Sequence, residues 1–149
     1  MQSLIGRHRL LYLERILTAC YVVAFLSILI IAATKAFTLP ARILFFSALF
    51  FLLISLLRRF IGAKRPYQET EVAPPRNGKD DSFPSRHAYS AFYIATLAFY
   101  IAPAFSYSLF PGAILLSLLR VARGVHFPRD VVAGAFIGVL AAILVLIAL

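Results

Sequence analysis

Residues 128–149 read PRDVVAGAFIGVLAAILVLIAL. After Asp130 no charged side chain interrupts the run to Leu149. A helix crossing a bilayer needs roughly 20 apolar residues in a row, and this stretch supplies them. Pro128 suits its start, because the first helical N–H has no partner within the helix. The reading that decides the fold is therefore a spanning helix from about Pro128 to Leu149.

The same reading extends backwards. Apolar runs are predicted to span from about Ile16 to Ala33, from Ile43 to Leu57 with a continuation to Ile61, from Pro84 to before Pro103, and from Tyr107 to Val121. The expected fold is all-α, a multi-pass transmembrane bundle of about five spanning helices. The 149 residues are expected to form a single membrane-embedded domain, 1–149. Hydrophobic residues make up 62% and charged residues 14%, which excludes an ordinary soluble domain. Arg7, Arg9 and Arg15 precede an apolar stretch, as in a signal peptide. That stretch is too long for a signal h-region and lacks a clean small-residue cleavage site, so a retained helix is expected.

Residues 62–83 form the one long polar loop expected, with Gly62, Pro66, Pro74, Pro75 and Gly78 and four of the six acidic residues: Glu69, Glu71, Asp80 and Asp81. Five spans place this loop, the 122–127 turn and the N-terminus on one side. The turns at 34–42 and 102–106 and the C-terminus fall on the other. Cys20, the single cysteine, lies in the first apolar run as a small filler; no intrachain disulfide or thiolate metal cluster is possible.

The net charge is +9, from 15 Lys and Arg against 6 Asp and Glu. In a membrane protein this balance points to head groups or a phosphorylated substrate rather than nucleic acid. The cations gather at the ends of apolar runs, in three clusters on one side. Arg58 and Lys64-Arg65-Pro66 end the second span. Ser85-Arg86-His87 opens the third. Arg120, Arg123, His126, Arg129 and Asp130 bridge the fourth and fifth.

Charge at membrane depth is expensive, so each cluster is a functional candidate. With two histidines, one adjacent carboxylate and several guanidinium groups, no metal set is plausible and no cofactor is implied. An anion held by arginines, a nucleophile and an acid suits phosphoryl transfer, which needs positioning and charge stabilisation. Backbone N–H groups of Ser85 and Arg86 in the first helical turn add an anion site. Asp130, four residues after His126, can accept Nδ1–H and raise the basicity of Nε2, as a nucleophile requires. His87, on another helix, is left to protonate the leaving group. Arg59, Lys64, Arg123 and Arg129 read as interfacial cations, and Tyr89, Phe92, Tyr93, Phe99 and Tyr100 as packing or lipid-facing residues.

These residues resemble the type 2 phosphatidic acid phosphatase superfamily, relatives of bacterial acid phosphatases, glucose-6-phosphatase and vanadium haloperoxidases. The family pattern is K-x6-RP, PSGH, then SR-x5-H-x3-D. Here Arg58-x6-Arg65-Pro66 is followed by Pro84-Ser85-Arg86-His87 and by Leu119-Arg120-x5-His126-x3-Asp130, covering residues 58–134. The resemblance implies that His126 forms a phosphohistidine, that Asp130 orients it, and that His87 protonates the leaving oxygen. It further implies a phosphate cradle of Arg65, Arg120 and Ser85, with Arg58 in the lysine position. Arg86 stands where the pattern has Gly, and Leu119 where it has Ser. The family's usual six spans are one short here, at the N-terminal side.

The expected function is removal of phosphate, as monoester or pyrophosphate, from a lipid. Phosphatidic acid, phosphatidylglycerophosphate, undecaprenyl pyrophosphate and lipid A phosphate are all compatible substrates. A non-catalytic lipid-phosphate-binding subunit is the second reading, and a haloperoxidase-like oxidase a weaker third. Partners are the phosphorylated lipid and membrane lipids; oligomeric state is open. A multi-pass protein of the cell membrane is expected. Excess Lys and Arg on the site side point to the cytoplasm by the positive-inside rule, whereas the resemblance implies an extracytoplasmic site.

Overall fold

The computed structural model describes residues 4–66 and 81–149, with side chains from His8 onward. Five helices run through them: α1 (Leu4–Lys35), α2 (Leu39–Ile61), α3 (Arg86–Ile101), α4 (Pro103–Ala122) and α5 (Pro128–Ala148). There is no strand among the described residues. Most of the 62–83 loop, including Glu69, Glu71 and Asp80, lies outside them.

Breakers account for the helix ends. Pro40, Pro103 and Pro128 sit in the first turns of α2, α4 and α5, where a missing N–H costs nothing. Gly62 closes α2 in the left-handed region at φ 61°. Ser85 caps α3 by accepting the Ala88 N–H.

Three helix starts come earlier than expected, that of α2 at Leu39 rather than Ile43 among them. The first helix starts at Leu4, not near Ile16. Its 32 residues extend about 48 Å at 1.5 Å each, well beyond a hydrocarbon core. Hydropathy marks where lipid touches a helix, whereas no Gly or Pro interrupts residues 7–15, so the helix continues into the polar zone. The fourth helix likewise begins at Pro103 rather than Tyr107 and carries Pro111 within it.

Four of the helices, α1, α2, α4 and α5, are long and apolar enough to cross a membrane. α3, the remaining one of the five expected helices, runs between the same two ends of the bundle. It has 16 residues, about 24 Å, because the Ser85 cap and the Pro103 breaker bound it on both sides. It is also the most enclosed element. It packs most extensively on α5, then α4, then α1, and buries Ala88, Ala91, Ala95, Leu97 and Ala98. Outward side chains such as Leu53, Phe60, Phe136 and Ile147 remain exposed, as suits lipid contact.

Lipid is as apolar as these side chains, so close packing rather than the hydrophobic effect must hold the helices together. The α3–α5 seam shows how. A Cβ at Gly134 or Gly138 would overlap the carbonyl oxygen of Ser85 or Tyr89. Polar ties reinforce the other contacts: Ser47 Oγ and Tyr93 Oη at 2.6 Å join α2 to α3, and the Tyr21 hydroxyl donates to the Leu109 carbonyl, joining α1 to α4. At one end of the bundle, Lys35 Nζ donates to the Ile101 carbonyl at 3.0 Å and an Arg42 Nη1–H to the Leu149 carbonyl at 2.8 Å. The 34–42 turn, the α3–α4 turn and the C-terminus therefore share that end, as alternating spans require.

Candidate active site

At the opposite end the three polar clusters meet. The Ser85 N–H donates to the Asp130 carbonyl at 2.9 Å, joining the start of α3 to the first turn of α5. Ser85 and Asp130 are fully buried, and Pro84 beside them is buried too.

Asp130 organises the centre. Its Oδ2 accepts the Phe127 N–H at 2.9 Å, which caps α5, and also accepts the Ser82 hydroxyl. The same oxygen lies 3.5 Å from Nδ1 of His126. Ser82 Oγ is also 3.5 Å from that nitrogen. The other imidazole edge, Nε2, faces Arg120 Nη2 at 3.2 Å. His126 is 2% exposed and lies in the α4–α5 turn, outside the helices. Burial first, then the fields of Arg120, Arg65, Arg58 and His87, hold its pKa well below the ordinary imidazole value. It is therefore neutral at working pH. With Nδ1–H directed at the carboxylate, Nε2 keeps its lone pair toward Arg120.

The expected phosphate-binding arginines converge here. Arg120 and Arg65 are buried, and both act electrostatically on His126. His87, in the first turn of α3, feels Arg120, Arg86, Arg58 and Arg65. Arg58 is also buried. It donates to the carbonyls of Pro84 at 2.6 Å, Ser82 at 3.5 Å and Asp81, so part of its guanidinium holds the strand of chain that leads into α3. All eight expected positions, His126, His87, Asp130, Arg58, Arg65, Ser85, Arg86 and Arg120, thus fall at one end of the bundle.

Three residues were not foreseen in these roles. Ser82 is fully buried against Asp130; it sits at the edge of a polar loop, where a serine is ordinary. Glu14, 6% exposed, pairs with Arg120 Nη1 through Oε1 and with Arg123 Nη1 through Oε2. A lone carboxylate in a basic segment was a signal, because buried charge needs a partner. Arg123 is consequently an internal ion-pair partner rather than an interfacial cation. The Arg129 side chain is 69% exposed and its guanidinium lies over the Phe127 ring, but its Nε also lies 3.7 Å from Asp130 Oδ1.

A groove of about 320 Å³ opens one to two helical turns along α3 from the site. It is lined by Phe25, Leu44, Ala48, Phe51, Tyr89 and Ser90, among others, from α1, α2 and α3. Its walls are mostly apolar.

The model of the PAP2 superfamily matches residues 40–149. A lipid A 1-phosphatase of Rhizobium johnstonii is 36% identical over 104 residues, 64% of this chain and 42% of that protein. The bacitracin transport permease protein BcrC of Bacillus licheniformis is 39% identical over 66 residues, 44% of this chain and 32% of that protein. The chain thus spans less than half the length of these curated relatives. The fold is similar to that of a transmembrane PAP2-type phosphatidylglycerolphosphate phosphatase from Bacillus subtilis, with a TM-score of 0.69 at 24% identity, covering 97% of this chain and 77% of that one. With the family match running from the start of α2 through the whole of the histidine and arginine cluster, this chain belongs to the PAP2 superfamily.

Proposed function

We propose that the chain is a metal-independent membrane phosphatase that hydrolyses a phosphomonoester or pyrophosphate of a lipid through a phosphohistidine. The observation that carries this reading is the placement of His126. One ring nitrogen faces a buried carboxylate and the other faces the arginine cluster. That is how a neutral imidazole is oriented for attack on an anion.

In the first step Nε2 of His126 attacks phosphorus and the bond to the leaving oxygen breaks. Burial and the arginine fields depress the His87 pKa in the free site. The negative charge of bound phosphate offsets those fields and lets His87 carry the proton that it gives to the leaving oxygen, while Asp130 stabilises the positive charge on the His126 ring. In the second step water attacks the phosphohistidine; His87 takes its proton, and His126 leaves as the neutral base. Arg65, Arg120 and Arg86, with Arg58 and the N–H groups at the start of α3, spread the charge of the equatorial oxygens. The apolar groove beside α3 suits an acyl or prenyl chain, and the site lies at the bundle end where a head group would sit.

The test is phosphate release in detergent from phosphatidic acid, phosphatidylglycerophosphate, undecaprenyl pyrophosphate and lipid A, with a rapid quench for labelled protein. Wild type should release phosphate from at least one of them and trap an acid-labile phosphoryl group on His126. His126→Ala should lose both. Asp130→Asn should slow turnover by roughly 10⁴-fold, the scale for replacing the carboxylate that orients a catalytic histidine. Equal turnover by wild type and His126→Ala would refute the mechanism.

A further inference from the structure

The geometry points to Glu14 of α1 as a positioning residue that holds Arg120 for phosphate binding. This rests on the phosphatase reading, but it concerns a helix outside the family-matched segment 40–149.

Three observations converge. First, Glu14 is a buried carboxylate between two buried or half-buried guanidinium groups, gripping Nη1 of Arg120 and Nη1 of Arg123. Second, it engages only one edge of Arg120. A guanidinium is planar, and its Nε–H lies along the same edge as one Nη2–H. Nη2, one end of that edge, lies 3.2 Å from Nε2 of His126. Third, Nε of Arg120 is buried and has no hydrogen-bond partner among the described residues. An unpartnered donor on a side chain 10% exposed needs an acceptor. A phosphate oxygen on the Nε/Nη2 edge supplies it.

The pieces then have distinct work. Glu14 fixes the far edge, so Arg120 presents its near edge as a two-pronged clamp. In the free protein Nη2–H covers the lone pair on Nε2. When phosphate enters, its oxygens take Nε–H and Nη2–H, and the lone pair is released toward phosphorus. Arg123, joined to the other carboxylate oxygen, keeps Glu14 from following Arg120. The arginine cluster gains a counter-charge in the same place, which limits the cost of burying it without occupying the phosphate position.

The test compares wild type, Glu14→Gln, Glu14→Asp, Arg120→Ala and the Glu14→Gln/Arg120→Ala double variant in one detergent. Two quantities are read: kcat/KM for phosphate release, and affinity for orthovanadate, a phosphate-shaped anion. Glu14→Gln should weaken vanadate binding and lower kcat/KM roughly tenfold or more, the scale seen when a group orienting a ligand-binding side chain is lost. Glu14→Asp, which keeps the charge with a shorter reach, should fall between, and it carries the test if the Gln variant does not fold. In the Arg120→Ala background the Glu14 change should add nothing.

Tighter vanadate binding by Glu14→Gln would instead make the carboxylate a competitor of phosphate and overturn the proposal. Unchanged kcat/KM and vanadate affinity with only a lower melting temperature would also overturn it. If wild type binds vanadate in a Glu14-dependent way yet releases no phosphate, the phosphatase reading fails and the role of Glu14 stands. If it neither binds nor turns over, both fail.

Discussion

Asp130 makes its hydrogen bonds through Oδ2, which takes the Phe127 N–H and the Ser82 hydroxyl and faces His126, while Oδ1 lies 3.7 Å from Arg129 Nε. Ser82 thereby limits how the carboxylate can turn. Ser82→Ala should lower kcat about tenfold, with little change in KM, far less than Asp130→Asn, because the carboxylate and its charge remain. Steady-state kinetics of the two variants would check the order. The His126 environment has a second consequence. Its pKa is depressed in the folded protein, so as pH falls through about 6.5 the unfolded chain takes up a proton that the folded chain refuses. Stability is therefore full above that pH and declines below it. The melting temperature of wild type should fall between pH 7 and pH 5, and less steeply in His126→Asn. At this scale the histidine and its carboxylate were legible, being four residues apart. Glu14 stood out only as a lone carboxylate in a basic segment; which residue it pairs with was not legible, because Arg120 lies 106 residues away.

Elements meet at the α3–α5 seam. Gly134 touches the Ser85 carbonyl and Gly138 the Tyr89 carbonyl, and backbone cannot move aside as a flexible side chain can. Gly134→Ala should push α5 from the start of α3 and stretch the Ser85 N–H to Asp130 carbonyl bond. The expected cost is about 1–3 kcal/mol for overpacking, visible as a lower melting temperature, together with loss of phosphate release. Gly112→Ala is the contrast, since its new methyl would meet the Tyr21 hydroxyl, a side chain; it should cost less. The G-x-x-x-G spacing at 134–138 lets the two helix backbones approach this closely. The true start of α1 was not readable from hydropathy, which responds to lipid contact and stops near Ile16, while helical hydrogen bonds continue to Leu4.

At the scale of the molecule, α3 is the centre against which α1, α4 and α5 pack, and its first turn carries Arg86 and His87 into the site. The groove along its flank, bounded by Phe25, Leu44, Ala48 and Phe51, is where a chain of the substrate should lie. Ala48→Trp should fill it. The expected result is a drop in kcat/KM for long-chain lipid phosphates of roughly tenfold or more, at a loss of about 0.8 kcal/mol per excluded methylene. Turnover of a short-chain water-soluble phosphate ester should stay near wild type. A matched pair of substrates assayed on one preparation separates the two outcomes.

Sequence alone determined the helical membrane class, the grouping of the cations at one end and the three motifs of the site, because apolar run length, proline and glycine breakers and fixed spacings are local properties of the chain. The tertiary structure alone decided that α3 is a short enclosed helix, that Ser82 serves Asp130 and that Glu14 grips Arg120. Those facts depend on which distant surfaces are pressed together. That in turn is set by where glycine lets two backbones touch and where a buried charge finds its partner.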